Sequence, residues 1–130
     1  MERHPPRILI IDDDNSIVEI ISDALQMSGY TVSVACDGNE GLLQQRSVPA
    51  DLLIVDMYMP EMDGIEVIKA LRMDFPELIL IAMSGGGRLP GKVPLFTAAA
   101  IGANAILSKP FEIVTLLDLV SDQLQKHGLA

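Results

Sequence analysis

Apolar residues in this chain fall into short aliphatic runs separated by stretches of helical spacing. Four runs, Ile8–Ile11, Leu52–Val55, Leu78–Ala82 and Ala105–Leu107, are bounded by turn residues, which predicts strands buried on both faces. A fifth, Thr31–Val34, alternates polar and apolar positions, as a half-covered strand at a sheet edge does. Between the first and second strands, Ile17, Ile20, Ile21, Ala24 and Leu25 follow the helical i, i+3, i+4 pattern, with Gly29 where a C-terminal cap belongs. Asp63-Gly64-Ile65-Glu66 has capping-box spacing ahead of Val67, Ile68 and Leu71. Ile113, Leu116, Leu117, Val120 and Leu124 predict a last amphipathic helix, and weaker patterns predict helices over Glu40–Arg46 and Leu95–Ile101. All eight prolines fall at boundaries or in loops of this parse, where their missing N–H costs least.

Strand then helix, five times over, implies one parallel sheet with helices on both faces. Such sheets bind ligands beyond the carboxyl ends of their strands, near the point where strand order reverses. Those ends carry chemistry here. The first strand runs into Asp12-Asp13-Asp14, the third meets Asp56, the fourth Ser84, and the fifth Ser108-Lys109-Pro110. A parallel sheet brings all of them to one edge.

Composition narrows the chemistry. With 130 residues, 49% of them hydrophobic, the chain has the size of one domain with a real core, and disorder is excluded. A net charge of −9 argues against direct binding to nucleic acid or an anionic membrane, and leaves divalent cations open. The single cysteine, Cys36, rules out an internal disulfide and a cysteine-rich zinc site. No apolar run is long enough to span a membrane, and the start lacks the hydrophobic stretch of a signal peptide, which predicts a reducing, cytoplasmic location.

Carboxylates held together repel, and a divalent cation relieves that repulsion. An all-oxygen site favours Mg²⁺ or Mn²⁺ over zinc, and both histidines, His4 and His127, lie near the termini. A carboxylate beside such a metal can act as a nucleophile toward phosphorus. Lys109 would offer a compact cation, and Ser84 a hydroxyl donor, to phosphoryl oxygens. Taken singly, each residue has a blander reading. Asp14 or Asn15 suits a helix N-cap, Lys109 a solvated surface, and Ser84 a turn. Four strand ends carrying matched groups together are poorly explained that way.

These residues resemble the receiver domain of two-component response regulators. The likeness runs from about Arg7 to about Gln125. Ile8-Leu9-Ile10-Ile11-Asp12-Asp13 is similar to its acidic-pair strand. Leu53-Ile54-Val55-Asp56-Met57-Tyr58-Met59-Pro60-Glu61-Met62-Asp63-Gly64 is similar to its phosphoacceptor segment. Ile81-Ala82-Met83-Ser84-Gly85 resembles its Ser/Thr strand, and Gly102-Ala103 with Leu107-Ser108-Lys109-Pro110-Phe111 its lysine segment. The resemblance implies a flavodoxin-like, doubly wound α/β fold with strand order 2-1-3-4-5 and five helices, residues 1–130 forming one domain with a core of about 7–125. It implies that Asp56 accepts a phosphoryl group from a phosphohistidine on a sensor kinase or phosphotransfer protein. Asp13, Asp56 and the Tyr58 carbonyl would bind Mg²⁺ directly, Asp12 through water, and Lys109 and Ser84 would meet the phosphoryl oxygens. It also implies a cis Lys109–Pro110 bond. The domain would catalyse its own phosphorylation and slow dephosphorylation without being a turnover enzyme.

Three departures qualify the resemblance. Ile106 replaces the aromatic or histidine usual three residues before the lysine, and an isoleucine cannot alternate between water and core as a tyrosine does. The segment Gly85–Lys92 is enlarged and glycine-rich, so it is expected to be mobile and to respond to phosphorylation together with Leu95–Ile101. Asn15 stands where proline is common. Gly86–Val93 nearly spells a phosphate-binding G-x-x-x-x-G-K-[ST] loop, but Val93 lacks the hydroxyl that would hold Mg²⁺. Two rivals remain open: a receiver-like interaction module working without phosphate, which Ile106 favours, and a small phosphatase using Asp12 or Asp56 covalently. The phosphatase lacks support beyond Asp14, because Tyr58 stands where an acid–base carboxylate would follow Asp56. The ending Lys126–Ala130 offers no obvious linker, so a single-domain regulator acting through an unknown downstream protein is the expectation.

Overall fold

The computed structural model describes residues 4–57, 64–85 and 102–129. Five strands form one parallel sheet: β1 (Arg7–Ile11), β2 (Thr31–Ala35), β3 (Leu52–Asp56), β4 (Ile79–Gly85) and β5 (Ala105–Lys109). Their spatial order is β2-β1-β3-β4-β5, as the resemblance implies. Helices α1 (Asn15–Met27), α2 (Gly38–Ser47), α3 (Gly64–Asp74) and α4 (Ile113–Lys126) complete the described elements. The fifth predicted helix, Leu95–Ile101, lies outside the described residues, as do the capping residue Asp63 and all of the glycine-rich segment beyond Gly85.

Strand periodicity divides the core into two layers. Leu9, Ile11, Leu53, Val55, Leu80 and Ala82 face α2 and α3, meeting Leu42, Val67, Ile68 and Leu71. Ile8, Ile10, Leu52, Ile54, Ile79, Ile81 and Met83 face α1 and α4, meeting Val18, Ile21, Leu25, Leu116, Val120 and Leu124. Each such fully buried aliphatic side chain contributes roughly 1.5–3 kcal/mol relative to leaving it in water. The α2 layer is close: a Cβ added at Gly41 would collide with the Ile11 side chain.

The structure corrects the predicted burial in two places. β5 was expected to be covered on both faces, but only Leu107 is buried, because β5 forms the second edge of the sheet. On α1, the buried arc is Val18, Ile21 and Leu25, and Ile20 is 56% exposed. Ile17 is partly buried against the same core layer, whereas Ile20 lies on the neighbouring arc, rotated away from the sheet. β4 and β5 run past the aliphatic runs that end at Ala82 and Leu107, so Ser84 and Lys109 close their strands as the strand-end reading has them.

At the amino-terminal edge of the sheet, polar groups are closely matched. Arg72, near the end of α3, donates to the carbonyls of Phe75 (3.3 Å), Pro76 (2.9 Å), Leu78 (2.7 Å) and Gly102 (2.6 Å), and to Asn104 Oδ1 (3.0 Å). Burial pulls the Arg72 pKa down from its ordinary value, and the nearby Glu77 carboxylate partly offsets this. Asn104 Oδ1 also accepts from the Leu80 N–H at 2.7 Å, and the Asn104 N–H donates to the Leu80 carbonyl at 2.7 Å. Asp51 and Gln45 tie the chain before β3 to β1 and α2 in the same manner. These contacts join α3 to the entry of β5, and the chain before β3 to β1 and α2.

Candidate functional site

At the carboxyl edge, four of the predicted side chains meet. The chain leaves β1 for β2 on one side and returns to β3 on the other, so the reversal of strand order falls between β1 and β3. Asp12 follows β1 directly, and its N–H extends the ladder to the Ala35 carbonyl at 3.2 Å. Asp56 is the last residue of β3, paired in register with Met83, and Ser84 is the next residue of β4. Ser84 pairs in turn with Ser108, one residue before Lys109.

One carboxylate oxygen from each of Asp12, Asp13 and Asp56 lies within 4.8 Å of the others. Asp12 and Asp56 are buried, and Asp13 is exposed. The Lys109 ammonium stands 3.2 Å from Asp12 Oδ2 and 3.6 Å from Asp56 Oδ2. The Asp14 N–H donates to Asp12 Oδ1 at 2.9 Å, which orients that carboxylate. Asp14 is itself the N-cap of α1, accepting from the Ser16 N–H at 3.0 Å, so the bland reading was right for this acidic residue. The Ser84 hydroxyl oxygen is buried and has no hydrogen-bond partner among the described residues. A desolvated hydroxyl without a partner is unfavourable by about 1–3 kcal/mol, and a ligand oxygen at this edge could accept from it.

Three carboxylates and one ammonium leave an excess of negative charge in a largely desolvated pocket. The all-oxygen donor set fits a hard divalent cation, and the orphaned Ser84 hydroxyl fits an oxygen-rich anion beside it. Tyr58, whose carbonyl was expected to complete the metal ligands, lies outside the described residues. The Lys109–Pro110 bond is cis, as the resemblance implied. Ile106 is half-buried, packed with Ile65, Ala70 and Ala103 against the core layer that contains Leu80, Ala82 and Val67. From Lys109 an apolar groove of about 570 Å³ runs outward over Ile17, Ile20, Ile21, Pro110, Phe111 and Ile113.

Sequence reasoning found the acidic cluster, the lysine and the serine. It missed the orientation of Asp12 by Asp14, and it missed Arg72 and Asn104. Helical and strand periodicity carry no signal for the last two, since Arg72 and Asn104 are 32 positions apart and meet only in the fold.

The profile of the response regulator receiver domain matches residues 8–121, so the chain belongs to that family. It is 36% identical over 126 residues to the DNA-binding dual master transcriptional regulator RpaA of Synechocystis sp., covering 93% of this chain and 50% of the relative. It is 32% identical over 123 residues to the transcriptional regulatory protein PrrA of Mycobacterium leprae, covering 95% of this chain and 52% of the relative. The chain thus spans about half the length of the curated relatives it matches. Among solved structures, chemotaxis protein CheY4 of Vibrio cholerae superposes with a TM-score of 0.82 at 33% identity, covering 92% of this chain and 99% of that one. A response regulator receiver domain protein of Clostridium thermocellum gives a TM-score of 0.85 at 27% identity, covering 95% and 98%. The protein is therefore a receiver domain of two-component signalling. Among the described residues, no helix is long and apolar enough to cross a membrane.

Proposed function

We propose that this receiver is a phosphoacceptor switch that takes a phosphoryl group from a phosphohistidine donor onto Asp56. The observation that carries the reading is the convergence of Lys109 on Asp12 and Asp56 at the strand edge where the buried Ser84 hydroxyl has no partner among the described residues. A carboxylate oxygen of Asp56 would form the new O–P bond as the donor's N–P bond breaks, and the electron pair would leave with the imidazole, which takes up a proton. Lys109 and Ser84 would receive the equatorial phosphoryl oxygens, one as a point charge and the other as a hydrogen-bond donor. Asp13, Asp56 and the Tyr58 carbonyl would hold Mg²⁺, or Mn²⁺ in its place, with Asp12 contributing through water. The bound cation would neutralise charge that builds up on the transferring group.

The donor is a sensor histidine kinase or a phosphotransfer protein, for which the apolar groove adjoining Lys109 offers a surface beside the reacting carboxylate. Residues 7–125 act as one receiver unit that signals by protein–protein contact. The unpaired, exposed Cys36 suits a reducing cytoplasm. The −9 charge disfavours direct contact of this unit with nucleic acid. A phosphate-independent interaction module is the second reading, supported by Ile106, whose aliphatic side chain is packed against the core.

Intact-mass measurement separates the two readings. Incubation with acetyl phosphate and Mg²⁺ is expected to add one phosphoryl group to the wild type and none to Asp56→Ala. Label that survives in the variant, or never appears in the wild type, would falsify the assignment of Asp56.

A further inference from the structure

The lateral edge of the sheet opposite β5 is formed by β2. The Thr31 N–H donates to the Pro6 carbonyl at 3.1 Å, and the Ala35 carbonyl accepts from the Asp12 N–H at 3.2 Å. Residues 31, 33 and 35 therefore turn their backbone groups toward β1. The Tyr30 carbonyl, both groups of Val32 and of Val34, and the Cys36 N–H face outward. Part of this outward row is satisfied within the chain. The Tyr30 N–H donates to the Leu25 carbonyl at 3.2 Å. The Val34 carbonyl accepts from Gln44 Nε2 at 2.8 Å, and the Cys36 N–H donates to Glu40 Oε2 at 3.0 Å. Among the described residues, the Tyr30 carbonyl, both groups of Val32 and the Val34 N–H are left without a protein partner. Tyr30–Cys36 contains no charge, proline or glycine, so its own side chains do not blunt the edge.

The remaining set of groups is self-complementary under a two-fold axis. We propose that β2 pairs antiparallel with β2 of a second copy of this chain, centred on Val32. Val32 and its counterpart exchange both N–H···O bonds, and each Val34 N–H donates to the Tyr30 carbonyl of the other copy. The next groups in that ladder are the Tyr30 N–H and the Val34 carbonyl, which Leu25 and Gln44 already satisfy. A foreign strand can use the open groups, but a copy of β2 also sets satisfied groups opposite satisfied ones. The side chains agree with this register. Val32 meets Val32, Tyr30 meets Val34 and Thr31 meets Ser33, giving β-branched, aromatic–β-branched and hydroxyl pairs that favour antiparallel strands. Beside the strand, a groove of about 590 Å³ lies between Thr31 and Ser33 on one side and Leu43 and Val48 on the other. Leu43 is 64% exposed and Val48 57% exposed, and the two-fold brings the second copy's α2 alongside to cover them. Ser84 and Lys109 belong to β4 and β5, away from β2, so the pairing leaves the carboxyl-edge site open.

Sedimentation equilibrium of the full chain tests this. Wild type is expected to dimerise, and more strongly as salt is raised, because two chains of net charge −9 repel and salt screens them. Val32→Pro removes the central N–H on the side facing away from β1, where an edge strand tolerates proline. It is expected to weaken dimerisation about tenfold. Cross-linking reads the register. A mixture of Thr31→Cys and Ser33→Cys chains, each in a Cys36→Ser background, is expected to give a mixed disulfide on mild oxidation. Directly opposite, non-hydrogen-bonded residues have the Cα separation that a disulfide needs, whereas either chain alone offers only diagonal pairs and is expected to cross-link far less. Wild type that stays monomeric at millimolar concentration in high salt overturns the pairing and leaves the edge to a foreign strand. A dimer unaffected by Val32→Pro, or one that gives no mixed cross-link, overturns it too, because the contact then lies on another face. Thr31 and Ser33 are exposed, so the cross-link decides the matter even where Val32→Pro fails to fold.

Discussion

The two edges of the sheet treat polar groups in opposite ways. At the amino-terminal edge, Arg72 spreads five hydrogen bonds over four carbonyls and one amide oxygen, and Asn104 uses its side-chain oxygen twice. Gln45 both donates to Ala50 and accepts from it. At the carboxyl edge, three carboxylates face one ammonium, and a buried hydroxyl is unmatched among the described residues. Both edges are made by the same five strands, so strand geometry does not explain the contrast. One edge is finished within the chain. The other is left unbalanced among the described residues, and a fold tolerates such a deficit where it serves binding or chemistry.

Removing the busiest residue of the satisfied edge should have the largest effect on stability. Arg72→Ala strands the Leu78 and Gly102 carbonyls and one acceptor site of Asn104. It is expected to destabilise the fold by about 2–4 kcal/mol, since loss of hydrogen bonds to a charged donor leaves acceptors unpaired. Urea unfolding followed by circular dichroism measures this. The folded fraction should still accept phosphate from acetyl phosphate. A loss of acceptance in fully folded Arg72→Ala would break the division between the edges, because it would show that the clamp at the entry of β5 reaches Lys109 at its exit. Gln45→Ala tests the same edge more gently. It removes a two-point contact with the Ala50 backbone in a buried position and should cost about 1–2 kcal/mol, with phosphoryl acceptance again unchanged.

The carboxyl edge was the more legible of the two in the sequence, and the reason is physical. Its groups come from the ends of aliphatic strands, where the change from apolar to charged is abrupt. A parallel sheet then dictates that Asp12, Asp56, Ser84 and Lys109 share an edge without any knowledge of side-chain contacts. Asp56 and Lys109 are 53 positions apart in sequence, yet their charged atoms lie 3.6 Å apart. The amino-terminal edge was hidden. Arg72 reads as an ordinary polar residue on an amphipathic helix, and nothing in helical periodicity announces that it bends toward the carbonyls of the following turn. Ile20 was misjudged for a related reason. Periodicity says that an arc of α1 is apolar, but it does not say which part of the arc meets the sheet and which part borders a groove. Ile20 therefore shares the helical spacing of its buried neighbours and is nonetheless mostly exposed.

The smallest expected effect is the most discriminating, because its sign is reversed. Ser84→Ala deletes a buried hydroxyl that makes no hydrogen bond to any described residue. Replacing a partnered hydroxyl in this way ordinarily destabilises a protein. Here the folded state sheds a desolvated group with nothing to lose, so stability should hold or rise by up to about 1 kcal/mol. The same substitution should slow phosphoryl acceptance from acetyl phosphate, since the hydroxyl is the donor proposed for one phosphoryl oxygen. Stability and acceptance thus move apart at the carboxyl edge. At the amino-terminal edge, stability falls and acceptance stays. The comparison would fail at this residue if Ser84→Ala unfolded at clearly lower urea, because the hydroxyl would then be satisfied within the protein, and its place at the edge would need no ligand to explain it.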